Sequence, residues 1–101
     1  MRFKCTRTDA GDETSLVLEG VLDAATSPEF RPIVDKVVEE QRKQVVLDMY
    51  ALREIDSSGV GCIVSLFKRL RALGGVVRIQ GLRDQPRAIF RLLRLDRVFP
   101  V

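Results

Sequence analysis

At 101 residues, with 46% hydrophobic and 31% charged side chains and a net charge of +3, the chain has the make-up of one globular domain spanning 1–101, without space for a separate cofactor domain. It contains no histidine, which excludes a Ser-His-Asp triad, a Cys-His pair and the usual zinc sites built on imidazole. Its two cysteines, Cys5 and Cys62, form no CxxC pair; one bridge is possible on count, but the favoured reading is two small buried hydrophobes of a reducing cytoplasm.

The opening MRFKCTRTDAGDE is polar and alternating, so RFKCTRT reads as a strand rather than a secretory leader. DAGDE is a turn, and TSLVLEG a second strand close enough to form an antiparallel hairpin with the first. DAATSPEF then opens a helix: Thr26 and Glu29 have capping-box spacing, and Pro28 suits a first turn. Phe30, Ile33, Val34, Val37 and Val38 form its apolar stripe. QVVLDM is a short apolar run expected as a central strand covered on both faces, with YALREIDSS leading out of it.

A second stripe, Val60, Ile63, Val64, Phe67 and Leu70, predicts a helix that stops at Gly74-Gly75. VVRIQ is a further strand closed by Gly81. DQPRAIFRLLRL predicts a third helix with Asp84 as N-cap and Pro86 in its first turn, and RVFPV a last short strand. The order is β-β-α-β-α-β-α-(β), an α/β domain with a mixed, mostly parallel sheet of four or five strands and three helices. The longest apolar run falls far short of the roughly 20 residues of a membrane span. No membrane insertion and a cytoplasmic location are therefore expected.

Asp56-Ser57-Ser58-Gly59 falls between a predicted strand and a predicted helix, where α/β folds gather their sites. The plainest use of such a cluster is helix capping. A nucleophilic serine is poorly served, because neither serine sits in GxSxG and no base accompanies it. Gly59 and Gly61 match neither phosphate-loop pattern. A serine that receives a phosphoryl group needs no base or metal of its own, only an exposed hydroxyl on a reachable turn. A phosphate there would gain from the helix N-terminus and add about −1.5 to −2 charges beside Asp56.

VVLDMYALREIDSSGVGCIVSLFKRLRALGGVVRIQG resembles the core of the STAS-domain anti-sigma factor antagonists, which pair an apolar strand with D-S-[ST]-G-[LV]-G, a helix, Gly-Gly and another strand. Upstream, LEGVLDAATSPEF is similar to that family's Gly-x-Leu-Asp element, here Gly20 to Asp23, and the likeness runs from about Leu16 to Val101. The resemblance implies a binding protein rather than an enzyme, without a cofactor. It binds an anti-sigma factor serine kinase of the histidine-kinase-like ATPase fold, which phosphorylates the serine after the motif aspartate, and a PP2C-type phosphatase reverses the step. Carried onto this chain, Ser57 is the phosphoacceptor and Ser58 the helix cap. Asp23, Ala24, Ala25, Thr26, Ile55, Asp56, Ser58, Gly59 and Val60 contribute to partner binding. A structural STAS subunit, of a stressosome-like assembly or a lipid-transport ATP-binding cassette complex, is the alternative.

The charges are unevenly spread: residues 1–60 hold 8 basic and 12 acidic side chains, residues 61–101 hold 9 and 2. Arg83, Arg87, Arg91, Arg94 and Arg97 are spaced so that most share one helix face, read as solvated beside a core of Ile89, Phe90, Leu92 and Leu93. The one aromatic residue between the arginines, Phe90, is read as core, so direct nucleic-acid binding is not expected.

Overall fold

The computed structural model describes residues 2–99. Strands β1 (Phe3–Ala10) and β2 (Glu13–Leu22) form the expected antiparallel hairpin about Gly11. Helix α1 (Ser27–Glu39) leads to β3 (Gln44–Ile55), which lies parallel to β2, and α2 (Ser57–Ala72) leads to β4 (Val76–Gln80), parallel to β3. Helix α3 (Asp84–Leu92) and a 3-10 turn (Leu95–Arg97) follow. The sheet order is β1-β2-β3-β4, so each crossover helix returns the chain beside the strand it left.

The core is made by the alternation the sequence carries. Leu16, Leu18 and Leu22 of β2 and Leu47, Met49 and Leu52 of β3 are fully buried against Phe30, Val34 and Val37 of α1 and Ile63, Leu66 and Leu70 of α2. Phe3 packs edge-on to Phe30, with ring centroids 5.8 Å apart. Cys5 and Cys62 are both free thiols, and burial pushes the Cys5 thiol up to about 11, so it is protonated at neutral pH.

Several expectations are corrected. YALREI is no exit loop: β3 runs on to Ile55. Its register against β2 slips between Val17 and Glu19 and again between Gly20 and Val21, so β3 carries two extra residues and Leu52 and Ile55 both face inward. A spacing of three hides a bulged strand from a period-two reading. Beyond Asp48, β4 no longer pairs with β3, and side chains take over that edge. Gln85 accepts from Ile55 N and donates to Ile55 O, both at 2.9 Å, as a neighbouring peptide would. Arg83 donates to Tyr50 O at 2.8 Å while its guanidinium lies 4.0 Å from the Tyr50 ring centroid.

Gln85→Ala should accordingly cost about 1–2 kcal/mol, because it leaves two half-buried backbone groups unpaired. Urea unfolding measures this, and an unchanged midpoint would show that the amide bridge is ornamental.

The C-terminal third departs furthest. Arg83 is the N-cap residue of α3, not Asp84, which is the first helical residue with φ 52°. The helix ends at Leu92 and Arg94 turns left-handed, so the arginine stripe is broken and only Arg87 and Arg91 remain on α3. Leu92 and Leu93 are exposed rather than core, while Phe90 is buried. No strand follows among the described residues. The chain coils instead so that Phe99 seats its ring against Phe67 and Phe90, at 4.7 and 6.0 Å. Pro100 and Val101, the rest of the expected strand, lie outside the described residues.

Candidate functional site

Parallel pairing brings the two sequence motifs together. Leu22 and Ile55 are register partners at the carboxyl ends of β2 and β3, so Asp23 and Asp56 leave the sheet side by side. Asp56 N donates to Leu22 O at 3.2 Å. The Asp56 carboxylate then bridges both segments: Oδ1 accepts from Gly59 N and Oδ2 from Ala24 N, each at 3.1 Å. Asp56 is therefore the N-cap of α2, and Ser58, expected in that role, is its second residue.

The Asp23 turn closes on itself. Asp23 Oδ1 accepts from Ala25 N at 3.0 Å and Thr26 N at 3.1 Å. Its Oδ2 accepts from Arg2, and the Arg2 guanidinium holds this carboxyl below the usual carboxylate range, helped by the Thr26 backbone N–H. Thr26 stands at the N-cap position of α1, but its hydroxyl donates backward to Val21 O at 2.8 Å and accepts from Asp23 N at 2.9 Å. The capping box with Glu29 does not form, because the hydroxyl is already engaged by the turn before it.

Two glycines let the backbones approach. Gly20 has φ 92°, and a Cβ there would collide with Arg2 O, which accepts the Val21 N–H at 2.7 Å. Gly59 sits where α2 crosses the end of the sheet, and a Cβ would lie 2.6 Å from Leu22 O.

Ser57 is the first residue of α2 and is exposed, as are Ala24, Ala25 and Asp56. Asp23 and Ser58 are half-buried beside them. Ile55, Gly59, Val60 and Thr26, also expected in the docking surface, are buried and support the turn from inside rather than reach its face. Arg2, Gln85 and the bridging role of Asp56 went unread. The aspartate three residues before Gly59 is a capping signal, whereas nothing local marks Arg2 or Gln85.

The chemistry available here is limited and specific. The only carboxylate adjacent to Ser57 in sequence has both oxygens engaged by backbone N–H groups, so it is poorly placed to take the serine proton. Among the described residues no group of three metal-ligating side chains occurs, and no helix is long and apolar enough to cross a membrane. What the turn does offer is an exposed serine at a helix N-terminus.

Comparison with known proteins places this arrangement in context. The STAS domain family matches residues 6–101. BtrV of Bordetella bronchiseptica, which carries the name of an anti-sigma factor antagonist, is 27% identical over 84 residues, 83% of this chain and 72% of BtrV. An anti-sigma factor antagonist from Mycobacterium paratuberculosis superposes with a TM-score of 0.84 at 21% identity, covering 97% of this chain and 83% of its own. The Bacillus cell fate determinant SpoIIAA in its phosphorylated form superposes with a TM-score of 0.75 at 20% identity, covering 94% and 86%.

Proposed function

We propose that this chain, which belongs to the STAS domain family, works as an anti-sigma factor antagonist switched by phosphorylation of Ser57. One observation carries the reading: the Asp56 carboxylate ties Ala24, next after the Gly20–Asp23 element, to the start of α2, where Ser57 is exposed at the first position. The surface made by Asp23, Ala24, Ala25, Asp56, Ser57 and Ser58 docks an anti-sigma factor serine kinase of the histidine-kinase-like ATPase fold, which releases the sigma factor. The kinase then ends its own capture. Ser57 Oγ bonds to the γ-phosphorus of kinase-bound ATP, the bond from that phosphorus to the bridging oxygen breaks, ADP leaves, and a kinase base takes the hydroxyl proton. The added charge, about −1.5 to −2, stands beside Asp56 on the docking face and repels the partner. A PP2C-type phosphatase resets the switch by hydrolysis. The chain acts as a cytoplasmic, single-domain binding protein with no catalysis of its own.

The test is intact mass after incubation with ATP, magnesium and purified anti-sigma serine kinases of that fold. One phosphoryl group should be gained by the wild type and by Ser58→Ala, and none by Ser57→Ala. If Ser57 stays unmodified with every kinase, the switch is refuted and a structural role in an assembly takes its place.

A further inference from the structure

The helices that meet at the Ser57 turn enclose a groove of about 300 Å³, lined among others by Arg31 and Asp35 of α1 and by Ser57, Gly61, Cys62 and Arg69 of α2. Its two cations are used differently. Arg69 donates to Asp35 at 2.7 Å, whereas Arg31 is exposed and forms no ion pair among the described residues. Helical side chains lean toward the N-terminus of their own helix. For α1 that is the end beside Ser57, since Ala24, just ahead of α1, already bonds Asp56. Arg31 thus has both the reach and the direction to meet a group on Ser57.

The floor of the groove tells the same story. Gly61 lies one helical turn after Ser57 and so on the same face. A Cβ built there meets nothing within 4 Å, and its backbone is ordinary helix. Glycine inside a helix is unfavourable against alanine. No packing requires it here, unlike at Gly59. What its missing side chain provides is open space next to the serine hydroxyl.

We propose that this groove seats the phosphoryl group once Ser57 carries it, with Arg31 as its counter-ion and Gly61 as the clearance beneath it. The inference rests on the reading of Ser57 as phosphoacceptor and adds where the phosphate goes. A guanidinium meets a phosphate through two parallel N–H···O bonds. The charges facing the phosphate are Arg31 and Arg69 against Asp35 and Asp56. Asp35 is held by Arg69, and the Asp56 oxygens by the Gly59 and Ala24 amides. Arg31 is the cation of the groove without an ion pair among the described residues. Paired with it, the phosphate becomes a full dianion through the neutral range instead of titrating near its ordinary value of about 6. The switch is then insensitive to small changes in pH.

Phosphorus NMR titration tests this on protein carrying phosphoserine at position 57, installed during translation by stop-codon suppression. The second phosphate pKa is expected about 0.5–1 unit lower in the wild type than in Arg31→Gln. Arg31→Lys, which keeps the charge without the fork, should fall between them. Superimposable wild-type and Arg31→Gln curves overturn the proposal. Because no kinase is involved, that result would leave the mass assay untouched. Equally, a serine that no kinase modifies would leave the titration valid.

Discussion

Gly59→Ala is expected to cost about 2–4 kcal/mol, far more than one exposed helical methyl should. The new Cβ would lie 2.6 Å from Leu22 O, 2.7 Å from Ile55 Cγ1 and 2.9 Å from Leu22 Cγ. Ile55 and Leu22 are both buried, and Leu22 O is fixed by accepting Asp56 N–H, so neither can yield without moving a strand end. The alternative is for α2 to lift away, which breaks the Asp56–Gly59 cap. For a domain of this size the loss corresponds to a fall in Tm of roughly 10–25 °C. Gly61→Ala is the internal control: with nothing within 4 Å of its Cβ, it should stabilise by about 0.5–1 kcal/mol. Two glycines separated by a single residue thus carry opposite signs, and urea unfolding of the pair reads the difference. A Gly59→Ala protein as stable as the wild type would mean that α2 does not sit against Leu22 as described.

Ser57→Asp should weaken kinase binding by roughly 30- to 150-fold, or about 2–3 kcal/mol. The substitution leaves the fold alone, because Ser57 is exposed and an acidic side chain at the first helical position is favoured by about 0.3–1 kcal/mol. Loss of affinity without loss of stability is the signature sought, and titration calorimetry with a purified kinase gives one half while thermal unfolding gives the other. Its cause is local: a fixed charge on a docking face that the kinase must desolvate, beside Asp56. Ser57→Ala should bind like the wild type. Equal affinities for wild type and Ser57→Asp would rule out charge at this position as the switch.

Much of this molecule is legible without coordinates, and the reasons are local. The stripes beginning at Phe30 and Val60 need only a 3.6-residue period, and the Gly74-Gly75 stop only the conformational freedom of glycine. The hairpin follows from a short polar turn between alternating runs. The Gly-x-Leu-Asp and Asp-Ser-Ser-Gly elements are likewise visible, 33 positions apart from Asp23 to Asp56, as a matched pair. Where the reading failed, partners distant in the chain had intervened. Thr26 lost its capping role to Val21 O, and Ser58 lost its own to Asp56, whose second oxygen is held across the sheet by Ala24. YALREI became strand because two bulges and the Gln85 amide completed its edges. The last helix stopped at Leu92 because the chain turns to bury Phe99, a demand no arginine spacing reveals.

The division is therefore physical. Sequence by itself determined the order β-β-α-β-α-β-α, the mixed, mostly parallel sheet and the absence of any histidine-based chemistry, since each depends on residue type or on spacing within one element. Tertiary structure alone decided which oxygen meets which N–H: that Asp56 and not Ser58 caps α2, that a Cβ at Gly59 would strike Leu22 O while one at Gly61 meets nothing within 4 Å, and that Arg31 lines one groove with Ser57 and has no ion pair among the described residues. These depend on distances between elements, set by register and bulges in β3 that hydrophobic pattern cannot encode.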